Sequence, residues 1–233
     1  MKKVLRYNDK VITLTPYNTI QERDILLYTS GKYEFDALME IVEDNIKIHE
    51  PYTYNDLSNN EKMYILLELR HISVGEVFSF IKKCESCGEK YELDIQFENV
   101  LKEGNLSSYK DFKLKEAFSN DYNDYVDFDI DELDIDIYDD LVNYIEEHKT
   151  KFNFTAESKC IHCGNINNVT LLKKHLIENL SEDTLTNFYH TIGSMVYHGH
   201  YSKLDIDSML PFERSVYLSI LNEELKKAEQ GDM

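Results

Sequence analysis

Two copies of one short unit constrain this chain more than any other feature. Lys83-Cys-Glu-Ser-Cys-Gly88 is echoed by Lys159-Cys-Ile-His-Cys-Gly164, and these four cysteines are all the chain contains. Two cysteines separated by two residues on a tight turn offer both thiolates to one ion, and four thiolates complete the tetrahedral shell that Zn²⁺ prefers, at about 2.3 Å per sulfur. The glycine after each pair lets the backbone take a positive φ there. Cys84, Cys87, Cys160 and Cys163 are therefore the candidate ligands of one structural zinc ion, each pair at the tip of a hairpin, as in a zinc ribbon. Seventy-two residues separate Cys87 from Cys160, where ribbons have about 15–20. Loop closure adds only about 0.6 kcal/mol per doubling of length, against about 10–16 kcal/mol for structural zinc in small peptides. The insertion is tolerable and should fold as its own subdomain. A redox CxxC would open a long helix, and catalytic zinc keeps a position open; neither pair shows these features. His162 lies inside the second knuckle and is expected to face solvent.

The formal charge of −19 over 233 residues repels phosphate backbones and anionic membranes, and the longest basic runs are pairs such as Lys82-Lys83. No apolar run approaches a membrane span, and no secretory signal is legible at the N-terminus. Paired cysteines at metal spacing indicate a reducing compartment.

Periodicity supplies the elements. Residues 4–14 alternate as an opening strand. Helices are expected over Ile20–Tyr28 and over Phe35–Ile48. A third follows a capping box, Ser58 with Glu61, and stops before Gly75. Strands lead into and out of each cysteine pair: Val77–Ile81, Tyr91–Phe97, Phe152 and Phe154, and Val169 and Leu171. Between them, Asp121–Glu147 holds 12 acidic residues and no Lys or Arg. Val126, Phe128 and Ile130 suggest a half-wet strand there, and Ile137–His148 a helix with Leu141, Tyr144 and Ile145 inward. The C-terminal part is helical. Leu185, Phe188, Tyr189, Ile192 and Val196 are expected on one face of a helix over Asp183–Tyr197. A final helix starting at Pro211 should turn Phe212, Val216 and Ile220 inward. Arg70 ends one apolar helix and Glu213-Arg214 begin another, and a buried Arg–carboxylate pair between these two elements would fix their orientation. The fold class is α+β, with helical N- and C-terminal parts around a central zinc-ribbon-like β region that carries an inserted acidic subdomain. The divisions are 1–75, ribbon halves 76–97 and 150–172, acidic insertion 98–149, and 173–233.

Other motifs carry less. Asp127, Asp129 and Asp131 fit the first ligand positions of an EF-hand, but Glu132 stands where glycine is needed and Tyr138 where glutamate is needed. The acidic block is expected to be a solvated or partner-facing surface. His198 and His200 flank Gly199 with no third ligand evident. No P-loop, GxSxG or GxGxxG pattern occurs, so no catalytic residues are assigned and no enzyme activity is expected.

The order of motifs is specific: Leu66-Leu67-Glu68-Leu69-Arg70-His71-Ile72-Ser73-Val74-Gly75 just before the first knuckle, then a second CxxC, then Met209-Leu210-Pro211-Phe212-Glu213-Arg214-Ser215-Val216-Tyr217-Leu218. Over residues 20–225 this resembles the T4-like bacteriophage baseplate protein family of hub components and hub assembly factors. The resemblance implies a non-enzymatic role in building a contractile tail, in the cytoplasm of an infected bacterium, with other baseplate hub and tail proteins as partners. It does not separate a component retained in the virion tail baseplate from an assembly factor. Neither a small-molecule substrate nor nucleic acid nor membrane is expected as a partner, and oligomerisation is left open. The alternative, a zinc-ribbon nucleic-acid-binding or transcription-related protein, is opposed by the charge.

Overall fold

Alternation over the first residues yields two strands where one was expected. β1 (Lys3–Tyr7) and β2 (Lys10–Leu14) pair antiparallel, from Lys3 opposite Leu14 to Tyr7 opposite Lys10. The computed structural model describes residues 2–7, 10–29, 35–102, 106, 108–114, 122–149, 151–152, 155–170, 173–181 and 183–231. After α1 (Thr19–Thr29), the helix expected to reach Ile48 ends early: α2 spans Phe35–Ile41, and Ile46–Ile48 forms β3, which pairs with β2. Asn45 explains the break. Its buried amide donates to the Pro16 carbonyl (3.0 Å) and accepts from Gln21 (2.6 Å), a side-chain-to-backbone competition that disfavours helix.

Helix α3 (Asn59–Ser73) is the centre of the main core. The capping box forms as expected: the Ser58 hydroxyl accepts from the Glu61 N–H (3.2 Å) and the Glu61 carboxylate from the Ser58 N–H (2.7 Å). Gly75, at φ 140°, follows its end. Met63 through Leu67, Leu69 and Ile72 are all buried, so the helix is apolar on nearly every side, as a core helix must be. Its buried charges are paired: Glu68 with Lys3 (2.5 Å) and Glu61 with Lys10 (2.6 Å), both lysines from the first hairpin. Arg70, fully buried, stacks on Phe78 and donates to the carbonyls of Gly75, Val77 and Asn179. The same core takes in Val169, Leu176, Ile177 and Leu180 from the second half of the chain, and the Tyr17 hydroxyl donates to the Leu180 carbonyl.

β4 (Val77–Lys83) and β5 (Lys90–Gln96) form the first cysteine hairpin, with Tyr91, Leu93 and Ile95 inward. Next come α4 (Phe97–Val100), β6 (Leu101–Lys102), the hairpin β7–β8 (Ser108–Tyr109, Phe112–Lys113), α5 (Ile135–His148) and β9 (Lys151–Phe152). β6 pairs with β9, so the segment returns to its point of departure. A second core lies within it: Leu114, Tyr125, Val126, Ile130, Leu141 and Ile145. The strand expected around Val126–Ile130 is instead an irregular stretch between two 3-10 turns, Tyr122–Tyr125 and Ile130–Glu132. Asn123 takes the Ile130 N–H (2.9 Å) and Asp129 that of Asp131 (3.1 Å); side-chain caps hold the chain out of any ladder. Val126 and Ile130 are buried, while Phe128 is half out.

β10 (Thr155–Lys159) and β11 (Ile166–Thr170) form the second cysteine hairpin. Phe154, Leu171 and Asp121 lie outside the described residues. The chain closes with α6 (Lys173–Glu178), α7 (Leu185–Tyr197), α8 (Lys203–Ser208) and α9 (Pro211–Gly231). α7 buries only part of its apolar residues, and the face expected to be inward on α9 is corrected. On α7, Phe188 and Met195 are buried, while Tyr189 and Val196 are exposed. On α9 Pro211 and Arg214 are buried, whereas Phe212, Val216 and Ile220 are 42%, 53% and 50% exposed. Arg214 makes two bonds to Glu22 of α1 and one to Asp183 (2.9 Å). At about 100° per residue, that anchor turns 212, 216 and 220 outward.

Candidate metal centre

The two cysteine units fold alike because their sequences are alike. In each, the first cysteine closes its turn through the main chain: Cys84 N–H to the Glu89 carbonyl and Cys160 N–H to that of Asn165, both 2.9 Å. The glycine N–H returns to the first cysteine's carbonyl, Gly88 to Cys84 (3.0 Å) and Gly164 to Cys160 (2.9 Å). Gly88 and Gly164 sit at φ 76° and 74°, a conformation a Cβ would strain.

The tertiary structure brings the two tips together. All four sulfurs lie within 4.8 Å of one another. Cys84 Sγ is 3.6 Å from Cys163 Sγ, and Cys87 Sγ is 3.8 Å from Cys160 Sγ. A tetrahedron with about 2.3 Å from centre to sulfur has an edge of about 3.8 Å, so the spacing fits one ion. Cys84 and Cys160 face inward, while Cys87 and Cys163 are exposed. Among the described residues this is the one group of metal-ligating side chains that assembles; His198 and His200 belong to no such group.

The local fields favour the thiolate at Cys84 and oppose it at Cys87. Backbone N–H groups, chiefly that of Cys87 and also that of Ser86, aim at Cys84, and with Cys163 and Asn167 they hold its thiol down at about 6. The Glu89 N–H pulls Cys87 the same way. Burial and the sulfurs of Cys163, Cys84 and Cys160 outweigh it, and Cys87 is pushed up to about 12. One thiol of the cluster ionises readily and the next resists. A bound cation removes that resistance.

Asn167 was not singled out from the sequence. It sits on β11, 1% exposed, and reaches across to the other hairpin. Its oxygen accepts from the Glu85 N–H (3.0 Å), and its Nδ2 faces Cys84 Sγ (3.7 Å) and the Tyr91 hydroxyl (3.2 Å). The legible signal was an asparagine at an inward strand position, where Val169 marks the buried side. His162 is exposed, as expected, and its Nε2 lies 3.1 Å from the Lys90 carbonyl.

Most of the acidic residues expected to face solvent do so, but Glu146 is half-buried and bonded to Tyr122 (3.0 Å) and Lys149 (2.5 Å). Asp127, Asp129, Asp131, Glu132, Asp134, Asp136, Asp139, Asp140 and Glu147 are all exposed. Among the described residues, no helix is long and apolar enough to cross a membrane.

Comparison with known families gives two matches. The model of the T4 bacteriophage base plate protein family matches residues 1–198. That of the C-terminal domain of the baseplate hub assembly protein Gp51 matches residues 180–226. No curated protein and no solved structure matches the chain.

Proposed function

This chain belongs to the T4 bacteriophage base plate protein family, and from that premise we propose that it is a non-enzymatic baseplate hub component or hub assembly factor. The observation that carries this is the succession of the two matches, which together run from residue 1 to 226 and end in a hub-assembly domain. Its partners are other baseplate hub and tail proteins, met in the cytoplasm of the infected bacterium.

In this proposal Cys84, Cys87, Cys160 and Cys163 bind one structural Zn²⁺. The ion, when bound, ties four thiolates into a closed shell and supplies no open position for substrate. The two hairpins act as ribbon halves, 76–97 and 150–172, between a part of residues 1–75 and a part of residues 173–233. Residues 98–149 act as an acidic subdomain; their own buried cluster and the β6–β9 pairing at their base support that division. Docking surfaces are offered by the outward side of α9, where Phe212, Val216 and Ile220 repeat at one-turn intervals, since aromatic and aliphatic residues concentrate at interface cores. The charge of −19 favours basic partners and opposes nucleic acid.

Co-expression with the other hub proteins of the same phage, followed by native mass measurement and zinc quantification, tests the assignment. A stable complex with about one zinc per chain is expected. Failure to associate with every hub protein, across salt conditions, would remove it.

A further inference from the structure

Both polar ends of the Asn167 side chain engage one knuckle, and Asn167 belongs to the other. The Glu85 N–H, next to Cys84, fixes which end of the carboxamide is oxygen: it points at a donor, 3.0 Å away. The NH₂ group is thereby aimed at Cys84 Sγ, at 3.7 Å, and shares its protons with the Tyr91 hydroxyl and the Asn165 carbonyl, each 3.2 Å away. The position is not arbitrary within the repeat. Tyr91 is the fourth residue after Cys87, and Asn167 is the fourth after Cys163. Equivalent positions of the two units thus meet each other in the interior, where Tyr91 and Asn167 are 3% and 1% exposed. An asparagine is otherwise a poor strand residue, and a buried carboxamide is costly unless its donors and acceptor are used. Here they are used on the metal site.

We propose that Asn167 is the positioning residue of the four-cysteine centre: it clamps the first knuckle onto the second and stabilises the negative charge on the Cys84 sulfur. This rests on the metal centre proposed above. Four thiolates around a divalent ion carry a net charge of −2, and N–H donors to sulfur offset it. Most such donors in a knuckle come from its own turn, as the Cys87 and Ser86 amides do for Cys84. Asn167 is different in kind, because it comes from the partner hairpin, 83 residues away along the chain. The hairpins are consequently joined by side-chain contacts in addition to the shared ligand set. Groups that orient ligands in this way typically change metal affinity by about 10–100-fold when removed.

The test is chelator competition for Zn²⁺ on the full chain, with Asn167→Ala, Asn167→Asp and the exposed-neighbour control Asn168→Ala. Asn167→Ala should weaken zinc binding by about 10–100-fold, and Asn168→Ala should leave it unchanged. Asn167→Asp is the discriminating variant and also serves if the alanine variant does not fold. It keeps an acceptor for the Glu85 N–H but places an oxygen where the sulfur-facing donor was, so its affinity should fall at least as far. Near-wild-type affinity in Asn167→Asp would mean that the side chain only joins the hairpins, and the proposal fails. Near-wild-type affinity in both variants overturns it equally. A wild-type chain that takes up no zinc removes the metal centre itself, and Asn167's role with it.

Discussion

At the scale of single residues, burial decides which charged groups matter. Glu22 and Arg214 are 1% and 2% exposed and bonded to each other, and Ser181 donates to Glu22 (2.6 Å). Removing the Glu22 charge leaves the buried Arg214 with only the partly solvated Asp183 (2.9 Å) as its carboxylate partner. Glu22→Gln should therefore cost about 3–5 kcal/mol, read from urea melts; a cost near zero would show that Arg214 finds other partners. Asp183 is a weaker case, because it is partly solvated. Burial holds its carboxyl above the ordinary aspartate value of 3.8, against the pull of Arg214. An acid whose folded value is raised binds its proton more tightly when folded, so its contribution is present below pH 3.8 and declines as pH rises through the folded value. Asp183→Asn should remove that decline, giving a flatter stability profile above pH 3.8 than the parent. The thiols belong to this scale too. Cys84→Ser or Cys163→Ser should abolish stoichiometric zinc in the purified chain, and a retained equivalent would exclude that cysteine from the ligand set.

At the scale of elements, two helices show opposite relations between pattern and place. α3 is apolar nearly all round and lies in the core, and Leu66 is fully buried. Leu66→Ala should cost about 2–5 kcal/mol in the denaturation midpoint, and a change near zero would place that face outside the core. α9 carries apolar residues on two sides, so periodicity alone could not say which side docks. Arg214 settled it by pairing with α1, leaving Phe212, Val216 and Ile220 exposed. Val216→Ser with Ile220→Ser should change stability by only about 0.5 kcal/mol per site yet weaken association with hub partners; undiminished association would take this face out of the docking surface. Boundaries failed where short polar side chains intervened. Asn45 ended α2 early, and Asn123 and Asp129 replaced an expected strand with turns. Where a cap was written locally, as in Ser58 and Glu61, the boundary was found.

At the scale of the whole molecule, the acidic surface and the paired hairpins act over different ranges. Charge supplies a field that steers encounter and is screened within about 8 Å at physiological salt. Asp129→Asn, Asp131→Asn and Asp134→Asn, at exposed positions and keeping an acceptor for the Asp131 N–H, should leave the melting temperature nearly unchanged while slowing assembly at low salt; global unfolding would contradict their solvated character. The order of residues specified the two knuckles, because turn geometry there is local: two cysteines, a glycine and a following strand need nothing distant. It also determined the acidity, the capped central helix and the family, which are properties of composition and order. Packing settles the rest: that two thiol pairs with 72 residues between them lie at one tetrahedral spacing, that Asn167 reaches across to Cys84, and which side of α9 faces water. Those are non-local: each depends on where a distant segment packs, and packing is settled by the summed burial of many side chains, not by the pattern of any one segment.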